Sequence, residues 1–244
     1  MTKNKIIRMV AVISVAFALG APAAMAGPIT GDDAVNVGDG WDGPGLGSAN
    51  VTYYFGALTA DGPTAAAIKA AFVIGFNAWS AATNGNLTFT EVFAPGANGS
   101  IDISWEVGDH GDGFPFAPGT LAHAFFPAPP NGETIAGDLH MNDAFLWEIG
   151  NGLGAAAFDI VLIAAHEIGH SIGMGHSVAP AVMRPSFSAN DVFLGLDADD
   201  VVGICSIYSC EAVSVPEPGT LLLLLTGLGL LGIRSRRQQQ IRTA

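Results

Sequence analysis

Basic residues are scarce in the middle of this chain. Only Lys69 and Arg184 lie between residues 27 and 214, against 21 of the 22 acidic residues, which leaves that stretch a formal −19. A surface of that sign repels phosphate, which excludes nucleic acid and anionic membrane surfaces as partners and keeps an exported protein soluble. Cysteine is almost missing too: Cys205 and Cys210 are the only two, so one bridge at most can form. They could close a small disulfide in an oxidising compartment, or remain as two buried thiols. Long apolar runs are confined to the two ends and account for the positive mean hydropathy of +0.42. What lies between them is long enough to bury one core, so a single domain is expected.

The ends carry targeting patterns. Residues 1–26 begin with Lys3, Lys5 and Arg8, continue through an apolar run from Met9 to Leu19 and close on Ala24-Met25-Ala26, the order of a secretory signal peptide cut before Gly27. Residues 27–49 are rich in Gly and Asp and read as an irregular, exposed lead-in. At the other end, residues 211–218 form a linker holding Pro216-Glu217-Pro218, residues 219–233 are apolar, and residues 234–244 form a basic tail with Arg234, Arg236 and Arg237. Fifteen residues make about 22 Å of helix against the roughly 30 Å of a bilayer core, short for a permanent span. The arginines favour a cytoplasmic end and an outward-facing domain. A simple anchor and a removable sorting tail both fit this order, and the second accounts for the shortness.

Residues 50–210 read as an α+β domain. Asn50 to Phe55, Leu87 to Val92 and Ser100 to Val107 have the composition of strands. Pro63 to Ala82 spaces Ile68, Ala71, Phe72, Phe76 and Trp79 along one helical face, with Thr64 near its start. Asp159 to Ile172 and Asp197 to Tyr208 are two further helices, the last with acids in its first turn. Strand, helix, strand, strand implies a mixed sheet with a helix across one face.

Within the second helix stands the run His166-Glu167-Ile168-Gly169-His170, followed by Gly173 and His176. Histidines four apart share a helical face and can reach one metal ion, with Glu167 beside them. Gly173 can turn the chain out of the helix and bring His176 round as a third ligand. Each histidine alone is more often a core or surface residue; three at this spacing, with glutamate and glycine in place, point to zinc. A second set, His110, Asp112, His123 and His140, supplies three imidazoles and a carboxylate, the closed four-ligand set of a structural zinc. Spread over loops and strands, they could also be separate surface residues. The two sites together account for all six histidines.

These residues resemble the matrixin branch of the metzincins, relatives of the matrix metalloproteases, over about residues 50–208. The likeness rests on HExxHxxGxxH from His166, on Ala181-Val182-Met183-Arg184-Pro185, on His-Gly-Asp-Gly-Phe-Pro-Phe from His110 and on Leu-Ala-His-Ala-Phe from Leu121. It implies a zincin-like fold, with a mixed twisted sheet of about five strands and three helices. It further implies that His166, His170 and His176 bind a catalytic zinc with Glu167 as general base, and that His110, Asp112, His123 and His140 bind a structural zinc. Met183 matches the methionine of the turn beneath the catalytic metal. Leu121, Ala122 and Ala124 fall in the edge strand that pairs with substrate, and Pro185 and Phe187 in a wall of the pocket beside the scissile bond.

Some features of that family are missing. No cysteine-bearing propeptide motif is present, and residues 27–49 hold no cysteine to cap the zinc. Residues 117–120 lack an aspartate expected at one calcium site, and Asn142 and Phe145 stand where acids are usual, while Asp102 and Asp138 match a second calcium position. The tail resembles the PEP-CTERM sorting signal of Gram-negative bacteria, which an exosortase cleaves. The expectation is a monomeric zinc endopeptidase acting on protein or peptide, exported across the inner membrane to the periplasm, surface or medium, and held by its C-terminal helix until processing. The rival reading is a non-catalytic, zinc-stabilised surface or matrix binding protein.

Overall fold

The strand β2 (Ala49–Phe55) alternates strictly, with Val51, Tyr53 and Phe55 buried and the residues between them more exposed, the pattern of a sheet covered on one face. The computed structural model describes residues 10–14, 40–59, 61–96, 98–132, 134–177 and 180–212. All of these belong to one unit, Met1–Ala212; a second unit comprises Val213–Ala244. The linker from residue 213, the Pro-Glu-Pro motif, the apolar run 219–233, the basic tail, residues 15–39 and the first nine residues lie outside the described residues.

After β2 comes the helix α1 (Ala65–Ala82), capped by Thr64, whose side chain accepts the Ala67 N–H at 3.3 Å. Its buried residues are Ile68, Ala71, Phe72, Gly75, Phe76 and Trp79. The rings of Phe72 and Phe76 meet Phe55 and Tyr53 of β2, which lays the helix on the sheet. By length and apolarity α1 would pass for a membrane span, but this packing makes it a core helix. The strands β3 (Leu87–Glu91), β4 (Ser100–Glu106), β5 (Thr120–Phe125) and β6 (Leu139–Asn142) follow. With β1 (Val10–Ser14) they form one mixed sheet in the order β1-β5-β6-β4-β2-β3. Its four parallel strands are β3, β2, β4 and β6; β5 runs antiparallel to β6, and β1 antiparallel to β5. The expected sheet of about five strands is therefore β2 to β6, with Val10–Ser14 added outside it.

A two-stranded ribbon, β7 (Trp147–Glu148) with β8 (Phe158–Asp159), leads into α2 (Ile160–Ser171). The helices α1 and α2 pack closely because Gly75 has no side chain: a Cβ there would lie 3.2 Å from the Ala165 Cα. Trp79 donates its indole N–H to the Ala165 carbonyl at 2.8 Å, and both residues are fully buried. The last helix, α3 (Ala198–Cys205), carries a capping box of Asp197 and Asp200.

Three expectations change and one open alternative closes. The strand β5 is not a free edge, because Val10–Ser14 takes up its outer main-chain groups with the register Ala11 to Ala124 and Val12 to His123. The lead-in is not simply exposed: Gly40 is buried, the Trp41 indole donates to the Ser171 carbonyl at 2.8 Å, and its backbone N–H donates to the Tyr208 hydroxyl at 3.0 Å. The last helix stops at Cys205 rather than Tyr208, since Tyr208 is drawn into a bridge with Gly47 and donates its hydroxyl to the Ile172 carbonyl. Cys205 and Cys210 are bridged, so the free-thiol alternative falls.

Candidate metal centres

Asp159 starts α2 as its N-cap, accepting the Val161 N–H at 3.2 Å. The helix then places His166 and His170 one turn apart and ends at Ile172, where Gly173 takes φ +107°, a value only glycine adopts without strain. That turn returns His176 to the first two histidines, and one ring nitrogen from each lies within 4.8 Å of the others.

The hydrogen bonds fix the tautomers. The Nδ1 of His166 faces the Val182 carbonyl, and the Nδ1 of His170 faces the Met174 carbonyl, both at 2.7 Å. A carbonyl can only accept, so each Nδ1 carries the proton and each Nε2 is left with a bare lone pair. Those two Nε2 atoms are 2.9 Å apart. The Nε2 of His176 is buried and has no hydrogen-bond partner. Three converging nitrogens of this kind fit a cation and nothing else in a protein's usual repertoire. Burial holds the imidazoles neutral: it pushes His166 down to about 3, with the neighbouring His176 and Arg184 acting in the same direction, and lowers His170 and His176 as well.

Glu167 is fully buried, and neither of its oxygens has a hydrogen-bond partner. Burial raises its carboxyl well above the ordinary value. Phe187 is buried with its ring edge-on to His166 at 5.1 Å, whereas Pro185 is exposed. Leu121, Ala122 and Ala124 are fully buried, and the outer main chain of β5 is paired with Val10–Ser14.

The second centre is built by pairing β5 with β6, which sets His123 directly opposite His140. The loop between β4 and β5 brings in His110 and Asp112, with Gly111 and Gly113 on either side of the aspartate at φ +89° and +88°. The Nε2 of His110, the Nε2 of His123 and the Nδ1 of His140 lie 3.0 to 3.3 Å apart. Asp112 Oδ2 is 2.9, 2.8 and 3.2 Å from them in the same order. Six nearly equal separations describe a tetrahedron of donors around one point. Burial and the neighbouring His140 push His123 down to about 4, and burial likewise lowers His140. For Asp112 burial opposes ionisation, but the Phe114 N–H and the three imidazoles prevail and lower its pKa. Among the described residues these two sets are the groups of three or more side chains that could hold a metal ion.

Two residues beneath the first centre escape sequence reading. Asp200 is fully buried and accepts from the N–H groups of Val182, Met183 and Asp197 at 2.8 to 3.0 Å. It thereby fixes both the fully buried Met183 and the carbonyl that orients His166. Gly169 leaves room for that methionine, since a Cβ there would lie 2.3 Å from Met183 Sδ. The only sequence signal for Asp200 is its place three after Asp197, which suggests a cap rather than a support for the metal site. Asp102 and Asp138 also meet: the Asp102 N–H donates to Asp138 Oδ1 at 3.1 Å, and the other carboxylate's Oδ1, on Asp102, is buried without a partner.

An α+β domain with three neutral imidazoles on a helix and turn, a buried glutamate beside them and a separate four-donor centre defines a metalloprotease-type fold. Residues 45–209 match the family model for Matrixin, and the chain belongs to that family of zinc enzymes. Residues 214–238 match the PEP-CTERM protein-sorting motif. The chain is 38% identical over 189 residues to karilysin of Tannerella forsythia, covering 75% of this chain and 36% of that protein. It is 37% identical over 155 residues to human matrix metalloproteinase-20, 62% of this chain and 30% of the other. With metalloendoproteinase 2-MMP of Arabidopsis thaliana the figures are 36% over 157 residues, 61% and 39%. The match thus spans about a third of each relative's length.

His123 has a folded-state pKa near 4, below its ordinary 6.5, so the unfolded chain binds more protons between these values. Stability therefore falls as pH drops from 6.5 towards 4, and protons also compete with zinc for the imidazoles. Calorimetry across this range should show Tm falling by on the order of 5 °C, with zinc release detected by a chelating dye.

Proposed function

We propose that this protein is a zinc endopeptidase. The observation that carries this is the buried Glu167, with no hydrogen-bond partner for either oxygen, next to three neutral imidazoles whose free nitrogens converge. His166, His170 and His176 hold the catalytic ion, and His110, Asp112, His123 and His140 hold a second that braces the sheet against the loop above it. Bound at the first site, zinc supplies Lewis acidity, acidifying water and polarising a carbonyl. Glu167 takes the proton of the attacking water and passes it to the leaving amine, a role suited to a carboxyl whose pKa burial has raised. Val182 and Met174 hold the ring orientations throughout, through their carbonyls.

An extended substrate pairs with the outer main chain of β5, which supplies affinity without sequence preference, and Pro185 and Phe187 wall the pocket for one side chain. The PEP-CTERM match supports export and surface sorting in a Gram-negative cell, with residues 1–26 as signal peptide, residues 219–233 as a temporary membrane anchor and an exosortase-type enzyme as processing partner. The mature domain then acts as a monomer outside the inner membrane. Calcium between Asp102 and Asp138 relieves the repulsion of two carboxyls that burial raises, Asp138 to about 7.

Four measurements test this reading. Digestion of a peptide library by the purified zinc-loaded protein should be abolished by chelator. Glu167→Ala should lose at least about a thousandfold in kcat while keeping its zinc; full activity in that variant sinks the mechanism, and no cleavage of any peptide by the wild type favours the rival binding protein. Since Val10–Ser14 holds the edge that substrate needs, removing residues 1–26 should lower KM, and an unchanged KM would show that the segment does not compete. Finally, calcium should raise Tm in the wild type and leave Asp138→Asn unmoved; equal rises place any calcium elsewhere.

A further inference from the structure

The segment from Arg184 to Phe193 has no helix or strand, yet it holds Phe187 against His166. A coil that walls a pocket discriminates between side chains only if something fixes it. Here the fixing converges on one side chain. The Arg184 guanidinium donates through one nitrogen to the carbonyls of Ala181 at 3.1 Å and Pro180 at 3.3 Å. Its other terminal nitrogen pairs with Asp191 Oδ2 at 2.9 Å. Its plane lies over the Phe187 ring, 4.3 Å from the centroid. Asp191 Oδ2 in turn accepts the Ser188 N–H at 2.9 Å, closing the loop on itself. Phe187 is thus gripped between the edge contact with His166 and a cation whose other donors are engaged on both flanks of the loop.

The far end of the segment is tied independently. The Phe193 N–H donates at 2.9 Å to Asp159, the residue that caps the zinc helix. The two ties differ in reach: Asp159 anchors the loop to the helix, whereas only the Arg184 cluster touches the pocket ring. Lys69 and Arg184 are the only lysine or arginine among the described residues, and Lys69 is paired with Glu91. Among the described residues no neighbouring cation can replace Arg184.

We infer that Arg184 is the positioning residue that sets side-chain preference in the pocket beside the scissile bond, acting through Phe187. This rests on the endopeptidase reading above. A lysine cannot do the same work, because its single ammonium cannot span two carbonyls, a carboxylate and a ring face at once.

The test compares Arg184→Ala, Arg184→Lys and Asp191→Asn with the wild type, all zinc-loaded. Arg184→Ala should raise KM for the preferred peptide about tenfold, leave kcat within about twofold, broaden the library preference at that one position and keep full zinc content. Arg184→Lys should behave in the same way, and Asp191→Asn should shift KM about threefold in the same direction. Amide hydrogen exchange supplies a readout that needs no cleavage: the Ser188 amide should exchange about tenfold faster in all three variants, while that of Phe193 stays protected. If Arg184→Ala does not fold, the other two variants carry the test. An unchanged preference profile with unchanged Ser188 exchange overturns the inference, as does full rescue by lysine, or a loss confined to kcat. Absence of chelator-sensitive cleavage by the wild type is a failure of the endopeptidase reading instead, and the exchange measurement then still decides whether Arg184 holds the loop.

Discussion

The structure depends on one electrostatic constraint: bare nitrogen lone pairs that face one another inside the protein. At the first centre the carbonyls of Val182 and Met174 take the Nδ1 protons of His166 and His170, so their Nε2 atoms meet at 2.9 Å with nothing between them to share. Such an arrangement repels itself unless a cation sits at its focus. Metal binding and folding are therefore linked, because the same hydrogen bonds that orient the rings also create the need for the ion. The second centre repeats the principle with a carboxylate added, which closes the set around one point.

Much of the remaining framework holds those rings still. Asp200 holds the turn that supplies the Val182 carbonyl, Gly169 admits Met183 beneath the helix, and Trp79 ties α1 to the carbonyl of Ala165, one residue before the first ligand. Trp41 and Tyr208 close the other end of α2 at Ser171 and Ile172, just ahead of the glycine that turns the chain to His176. The zinc helix is thus held at its middle and at its C-terminal end by residues far away in sequence. The contacts of Trp79, Trp41 and Tyr208 end on main-chain carbonyls of α2 or its exit turn, which is how side-chain packing becomes ligand geometry.

The pairing of Val10–Ser14 with β5 follows from strand physics. An unpaired strand edge offers a row of donors and acceptors that any extended segment can satisfy. In this chain Val10–Ser14 satisfies it, in the antiparallel sense. The leader segment thus occupies main-chain groups that any other extended segment would need in order to pair with β5. The acidic character of the domain leaves Arg184 as an isolated cation near the metal, where its several partners keep it engaged.

The residues of both metal sets were legible in the sequence because their spacing is local or their chemistry is rare. A helix of 3.6 residues per turn forces His166 and His170 together, glycine marks the turn, and six histidines leave few alternatives. The α+β class, the three helices and the main strands were legible for the same reason, since periodicity and capping act over a few residues. Tertiary structure alone decided which groups support them. Asp200, Gly169 and Trp41 look like a helix cap, a helix interior and part of a loose lead-in, and their roles arise from contacts across 14 to 130 positions of chain. The occupied edge of β5 and the grip of Arg184 on Phe187 belong with them. Sequence fixes a donor set by short-range geometry; where the chain returns to meet it depends on the packing of the whole core, and no local pattern encodes that.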